Sequence, residues 1–132
     1  MRDIDDTPLP AGELALQTLA MPADTNPSGD IFGGWLMSQM DLAGSITASR
    51  RAQGRTATVA VTGMAFLTPV KVGSVVSCYT DIVEVGRSSI RINVEVWINP
   101  HKEPVKVTEG EFVFVAIDEN GRTRAVPDDD DE

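Results

Sequence analysis

The sequence IFGGWLMSQMDLAGSITASRR, from Ile31 to Arg51, decides the fold. It contains no proline, and it predicts one long helix because apolar or small residues recur at intervals of three or four. The residues that share this core-facing side are Phe32, Leu36, Met40, Ala43 and Thr47. Asp30 is the expected N-cap and Gly54 the expected stop. Arg50 and Arg51 suit the negative, C-terminal end of the helix dipole.

On both sides of this helix the sequence has the features of β-strands. Before it, we predict a strand from Glu13 to Met21, followed by a loop of turn-forming residues at 23–30. After it, we predict four long strands, at 56–67, 74–85, 88–98 and 105–117. Apolar residues alternate most regularly from Ile90 to Ile98. One helix must cover one face of one antiparallel sheet, so the predicted fold class is α+β.

The length of 132 residues predicts one domain. We expect a flexible N-terminal segment at 1–11, a single domain at 12–127 and a disordered acidic tail at 128–132. The net charge is −9, and five of the acidic residues lie in this tail. The chain has no basic stripe. We therefore expect no nucleic-acid partner. No apolar run reaches the length of a membrane span and no leader opens the chain, so we expect no membrane partner and a cytoplasmic location.

Cys78 and His101 are the only cysteine and the only histidine. An intrachain disulfide and a cysteine-rich zinc site are therefore excluded, and a Ser-His-Asp triad would have to use His101. His101 lies between Pro100 and Pro104, which predicts an exposed turn. We expect Cys78 to be a small, half-buried strand residue, and we expect no metal site.

Gly33 and Gly34 open the predicted helix, although glycine disfavours a helix by about 1 kcal/mol relative to alanine. The first N–H groups of a helix have no partner within the helix, and glycines leave them accessible. Such groups can polarise a carbonyl and hold an oxyanion. Tight packing of the helix against a large side chain of the sheet is an equally good explanation of the pair.

Asp41 is a second unusual residue, since aspartate is a poor helix-interior residue and no cation lies three or four residues away. Burying such a carboxylate is costly unless polar groups from elsewhere satisfy it. A functional site is therefore favoured over an exposed helix face. Asn26, in the preceding loop, can orient a water or a carbonyl, but beside Pro27 it is also an ordinary turn residue.

Together these residues form the pattern Asn26-x-x-Gly29-x-x-Phe32-Gly33-Gly34 followed by Asp41, which resembles the acyl-CoA thioesterases of the hotdog fold. The stretch DTNPSGDIFGGWLMSQMD at 24–41 is similar to the YciA-like branch, and the resemblance extends over 12–127. It implies one long central helix wrapped by a five- to six-stranded antiparallel sheet. It also implies homo-oligomers, commonly trimers of dimers, in which each active site lies between two protomers. One chain contributes the loop and the glycines, and its partner contributes the helical aspartate.

The resemblance implies hydrolysis of acyl-CoA to a free carboxylic acid and CoA, with no cofactor beyond the CoA of substrate and product. The catalytic residues would be Asp41, Asn26 and Gly34: Asp41 as general base or nucleophile, Asn26 to position water or the carbonyl, Gly34 to polarise the thioester oxygen. The substrate-binding residues would be Gly29, Phe32, Gly33, Trp35, Arg87, Ser88 and Ser89. Arg87-Ser88-Ser89, after the Gly86 bend, would meet the phosphates of CoA, with Arg50, Arg51, Arg55 and Lys71 as further candidates.

Two other functions fit the same fold. A sensor or carrier of acyl-CoA would need no catalytic carboxylate, so the presence of Asp41 with Asn26 favours a hydrolase. A hydratase or dehydratase would use a histidine, and His101 lies in an unsuitable segment. The acyl chain length stays open, because Trp35, Met37 and Met40 fit an apolar tunnel wall and a packed core equally well.

Overall fold

The computed structural model describes residues 9–100 and 102–129. In this part of the chain the elements follow the predicted order: β1 (Glu13–Leu19), α1 (Gly33–Ala52), β2 (Thr56–Phe66), β3 (Val75–Val85), β4 (Ser89–Ile98) and β5 (Val105–Ala116). No helix among these residues is long and apolar enough to cross a membrane. His101 and most of the predicted terminal segments, 1–11 and 128–132, lie outside the described residues.

The five strands form one sheet in the order β1-β3-β4-β5-β2, and every neighbouring pair is antiparallel. The strand that follows the helix, β2, therefore lies at one edge, and β1 lies at the other. Because α1 contacts all five strands, the helix is wrapped by the sheet. The predicted α+β class and the central-helix architecture are confirmed.

The core lies between α1 and the sheet. The predicted alternation along β4 is confirmed, since every second residue from Ile90 to Val96 is fully buried and Ile98 is 8% exposed. Gly44 faces this core from the helix, and a Cβ atom there would lie 2.7 Å from the ring of Phe114. The helix and the sheet approach closely at this point, which only a glycine allows without displacing the ring.

Two predictions about the start of the helix are wrong. Asp30 is not the N-cap: α1 begins at Gly33, the cap position is Phe32, and no side chain caps it. The Asp30 carboxylate instead accepts a hydrogen bond from Lys71, because the chain at Asp30 pairs as a β-bridge with the chain at Lys71. Phe32 is 48% exposed rather than core-facing, since it precedes the first helical residue and does not follow the helical periodicity.

Cys78 is fully buried, not half-buried as expected, because it faces the helix from β3. Burial raises the pKa of its thiol from 9.0 to about 12.

Since the thiolate is the reactive form of Cys78, we expect the native protein not to react with Ellman's reagent near neutral pH and to react fully after unfolding. The free energy of unfolding should fall as the pH rises from 9 towards 12, because the unfolded thiol ionises first. Rapid labelling of the native protein would contradict this prediction.

Candidate active site

A cavity of about 320 Å³ opens where the first half of α1 meets the edge strand β2. It is lined by Gly34, Met37, Ser38, Asp41, Thr58, Val61 and Phe112. Among the described residues of this lining Asp41 is the only charged one, and the others are apolar residues, Gly34 and the two hydroxyl residues Ser38 and Thr58. The fold therefore brings together two of the three residues predicted to be catalytic, Asp41 and Gly34, at one cavity.

The carboxylate of Asp41 is half-buried and has a polar partner from the sheet. The hydroxyl of Thr58 donates a hydrogen bond of 2.6 Å to Asp41 Oδ1. Asp41 Oδ2 receives no hydrogen bond from the part of the chain that the structure describes, so this oxygen is available to a ligand or a water. Thr58 pairs across the sheet with Phe114, which is fully buried, and this pairing turns Thr58 towards the helix.

Thr58 lines the cavity and hydrogen-bonds directly to Asp41, but the sequence does not single it out. A threonine near the start of a strand is ordinary on β-propensity alone. Its contact with the helix depends on the register between β2 and β5, which shifts next to it, between Thr58 and Ala60. The requirement for some polar partner of Asp41, which the sequence does predict, is the only signal that points to such a residue.

The first N–H groups of α1 lie at the Gly33–Gly34 pair. Neither N–H group has an acceptor among residues 9–100 and 102–129, as expected for the first positions of a helix. A Cβ atom at Gly34 would meet no atom within 4 Å, so Gly34 leaves open space beside the N–H groups. A Cβ atom at Gly33 would lie 3.4 Å from the ring of Phe66. This distance is an ordinary van der Waals contact, so tight packing does not explain glycine at position 33 or at position 34.

Asn26 organises the loop before the helix. Its Oδ1 atom accepts hydrogen bonds from the backbone N–H groups of Ser28 (2.9 Å) and Asp30 (3.0 Å). Gly29 lies within this turn at a φ of +83°, which favours glycine. Asn26 does not line the cavity of Asp41 within the described chain. Its contacts are those of a turn residue, and its catalytic role stays a prediction.

The apolar residues near the glycines separate into two groups. Met40 is fully buried in the core, and Trp35 packs against the core. Met37 is 37% exposed and lines the cavity of Asp41, and Phe32 is still more exposed. The sequence left open whether these residues form a tunnel wall or pack in the core. Met40 packs in the core, whereas Met37 lies where it can contact a ligand.

Arg87 and Ser88 lie in the turn between β3 and β4, Ser89 is the first residue of β4, and backbone hydrogen bonds hold this turn firmly. The N–H of Ala116 donates to the carbonyl of Ser88, and the N–H of Gly86 donates to that of Ser89, both at 2.8 Å. Arg87 is exposed, and none of the described residues hydrogen-bonds to its guanidinium.

Three of the four alternative phosphate-binding cations already have partners. Lys71 pairs with Asp30, Arg51 pairs with Asp129 at 3.2 Å, and Arg55 donates to two backbone carbonyls. These contacts leave Arg87 as a better candidate than these three for a phosphate, because no described residue hydrogen-bonds to its guanidinium.

The fold and this site define a class of protein. The sequence model of the thioesterase superfamily matches residues 28–105, and the chain belongs to this superfamily. The acyl-CoA thioester hydrolase YciA of Salmonella typhimurium is 54% identical, over 96% of this chain and 98% of the relative. The resemblance to the YciA-like branch is therefore confirmed.

Two solved structures support the same assignment. A hexameric thioesterase from Yersinia pestis superposes with a TM-score of 0.87 at 56% identity, over 91% of this chain and 99% of that chain. A hexameric broad-specificity acyl-coenzyme A thioesterase, crystallised as an aspartate-to-alanine mutant, also gives a TM-score of 0.87, at 52% identity over 92% of this chain and 91% of that chain. The hotdog fold implied by the resemblance is thus confirmed.

Replacing Gly34 by alanine tests whether the open space beside it serves the site. We expect Gly34→Ala to lower turnover of acyl-CoA by about tenfold or more, because the methyl group enters the cavity of Asp41. The free energy of unfolding should stay equal or rise, by at most about 1 kcal/mol, because alanine favours helix. The measurements are steady-state kinetics and chemical denaturation.

Gly44→Ala makes the same chemical change in the same helix and serves as the matched control. It should destabilise the protein, because the new methyl group meets the Phe114 ring. Full activity in a stable Gly34→Ala variant would contradict a functional role of the space at Gly34.

Proposed function

We propose that this chain hydrolyses acyl-CoA thioesters to free carboxylic acids and CoA. The observation that carries the proposal is that the Asp41 carboxylate and the Gly34 end of α1 line one cavity. The sequence relationship to acyl-CoA thioester hydrolases supports the reaction class.

Asp41 is the general base or the nucleophile of the proposed reaction. As general base, its free Oδ2 takes a proton from a water, whose oxygen attacks the thioester carbon. As nucleophile, the same oxygen attacks the carbon directly, and water then hydrolyses the resulting anhydride. The Thr58 hydroxyl holds Oδ1 in both cases and so orients the carboxylate. Thr58 acts through Asp41 and is a positioning residue.

The N–H groups at Gly33 and Gly34 would polarise the thioester carbonyl and stabilise the oxyanion that forms after attack. Collapse of the tetrahedral intermediate restores the carbonyl and breaks the C–S bond. The electron pair leaves on sulfur as the CoA thiolate. Because a thiolate is a good leaving group, the step needs little general-acid assistance. This chemistry uses neither a catalytic histidine nor a cofactor.

Arg87, Ser88 and Ser89 would bind the phosphates of CoA. The exposed Arg87 guanidinium and the two hydroxyl groups provide one cation and two neutral donors on a turn whose backbone is fixed. Gly29, Phe32 and Gly33, at or just before the N-terminal end of α1, would contact other parts of the substrate.

The active enzyme would be a homo-oligomer, since both solved relatives compared above are hexamers. We propose a dimer that pairs through the edge strand β2, with three dimers in the hexamer. On β2 and on the helix beside it, several large apolar residues are exposed in the single chain: Val59, Val61, Phe66, Leu42 and Ile46. A second copy would cover them and complete the site. A cytoplasmic location fits a chain whose single cysteine forms no intrachain disulfide.

A thiol-release assay with acyl-CoA esters from acetyl to palmitoyl tests the proposed reaction. Hydrolysis of one or more esters, with CoA and free acid as products in equal amounts, is the expected result. Saturable CoA binding without hydrolysis of any ester would instead support a sensor or carrier of acyl-CoA. Since native Cys78 is buried, the enzyme should add little background to the colour reaction.

A further inference from the structure

The segment after β5, residues 122–129, crosses from the end of the sheet to the C-terminal end of α1; we call it the C-terminal strap. It begins at a β-bridge between Ile117 and Thr123 and a hydrogen bond of 2.9 Å from Arg124 N–H to the carbonyl of Ala116. It ends at Asp129, beside Arg51. The described strap thus connects the end of β5 to the C-terminal end of α1.

Arg124 fastens the strap to the helix. Its Nη2 group donates to the carbonyl of Ala52, the last residue of α1, at 2.9 Å, and its Nε group donates to the carbonyl of Ile117 at 3.0 Å. A cation at this end of a helix also interacts favourably with the helix dipole. Gly54 makes room for the contact, since a Cβ atom there would lie 2.5 Å from Arg124 Nη2.

Two residues further along, the strap reaches the turn between β3 and β4. The N–H of Val126 donates to the carbonyl of Arg87 at 2.7 Å. The next residue, Pro127, accepts a hydrogen bond from the Arg51 guanidinium. Together with the bond from Ala116 to Ser88, the Val126 bond fixes the backbone of the turn from two sides, while the Arg87 side chain stays exposed.

We propose that Arg124 is a positioning residue for the phosphate-binding turn of the substrate site. By fastening the strap to Ala52 and Ile117, it holds Val126 in place, and Val126 holds Arg87. A fixed backbone at Arg87 reduces the conformational entropy that its side chain and turn lose when a phosphate binds. Arg124 is not among the residues that line the cavity, and its side-chain hydrogen bonds go to Ile117, Ala125 and Ala52 and not to the turn, so its effect passes through the strap. This inference rests on the proposed function, because it assigns CoA phosphates to Arg87.

The test compares Arg124→Gln with Arg122→Gln. Arg122 lies two residues away, is exposed, and its side chain makes no hydrogen bond to the described residues, so it is a matched control for the loss of one positive charge. We expect Arg124→Gln to raise KM for acyl-CoA about three- to tenfold, with kcat within about twofold of wild type. Arg122→Gln should change neither constant by more than about twofold.

A second substrate separates positioning from a general loss of structure. An S-acyl-N-acetylcysteamine thioester carries the reacting bond but no phosphate. Its kcat/KM should be equal in wild type and Arg124→Gln. Equal losses on both substrates would show a merely structural role, and unchanged KM for acyl-CoA would show no role; either result overturns the proposal.

Calorimetric titration with CoA provides a readout that does not depend on turnover. The dissociation constant of CoA should rise about three- to tenfold in Arg124→Gln and stay constant in Arg122→Gln. If the wild-type protein bound CoA but hydrolysed no ester, the proposed function would be wrong. The comparison of CoA affinities would still test the role of Arg124. Equal CoA affinities in all three proteins would overturn the inference about Arg124 whatever the activity.

Discussion

Replacing Asp41 by asparagine is expected to lower kcat for acyl-CoA hydrolysis by about 10²- to 10⁴-fold, the usual contribution of a positioned acid or base. Asparagine has the shape of aspartate, and its amide oxygen can still accept the hydrogen bond from Thr58. It cannot take a proton from water, and it is a poor nucleophile. Cavity and fold should therefore persist while the chemistry is lost.

The measurement is steady-state thiol release combined with calorimetric titration of CoA. We expect the dissociation constant of CoA to change by less than about twofold, since Arg87 and the phosphate-binding turn are untouched. Thr58→Val is the informative companion variant, because it removes the hydroxyl group but keeps the carboxylate. It should lower kcat by a smaller factor than Asp41→Asn. Turnover at the wild-type rate in Asp41→Asn would exclude Asp41 as base and as nucleophile.

An 18-oxygen experiment distinguishes the two roles of Asp41. In a single turnover in H₂¹⁸O with enzyme in excess, a nucleophilic carboxylate forms an anhydride with the acyl group. Water attacking the carboxylate carbon of Asp41 leaves the heavy oxygen in the protein, and mass spectrometry detects it there. A general base leaves the protein unlabelled and places all heavy oxygen in the acid product, as does water attack on the acyl carbon of an anhydride. Heavy oxygen in Asp41 is therefore the result that establishes the nucleophile.

The order and bounds of the elements are predictable because they depend on local patterns. The alternation along β4 and the interval of three or four along α1 follow from which face of each element is buried. The start of α1 is not predictable in the same way. Asp30 has the residue type of an N-cap, but its backbone pairs with Lys71, a contact distant in sequence. A tertiary contact here overrides a local preference.

The residues of the candidate site also differ in whether local sequence rules identify them. Gly34 and Asp41 are identifiable because each is unfavourable in a helix, and an unfavourable residue indicates a requirement other than folding. Thr58 and Arg124 are favourable or neutral where they stand, so no local rule singles them out. Their importance arises from the register of β2 on β5 and from the path of the strap, which the linear sequence does not specify.

The proposed dimer leads to a second prediction with a large expected effect, because apolar side chains of β2 would lie against a second copy of the chain. Val59 is 56% exposed in the single chain. A lysine at position 59 would place a charge in this apolar contact, where it would lose water.

We expect Val59→Lys to dissociate the assembly and to lower kcat/KM for acyl-CoA by about tenfold or more, since a single chain would provide only part of each shared site. Light scattering coupled to size exclusion measures the mass, and activity is assayed on the same fractions. Val83→Lys is the matched control: Val83 is 50% exposed, but it lies on β3, three strands away from β2. If Val83→Lys separated the chains and Val59→Lys did not, the interface would lie at the β1 side of the sheet. If Val59→Lys gave fully active single chains, the active site would be complete within one protomer.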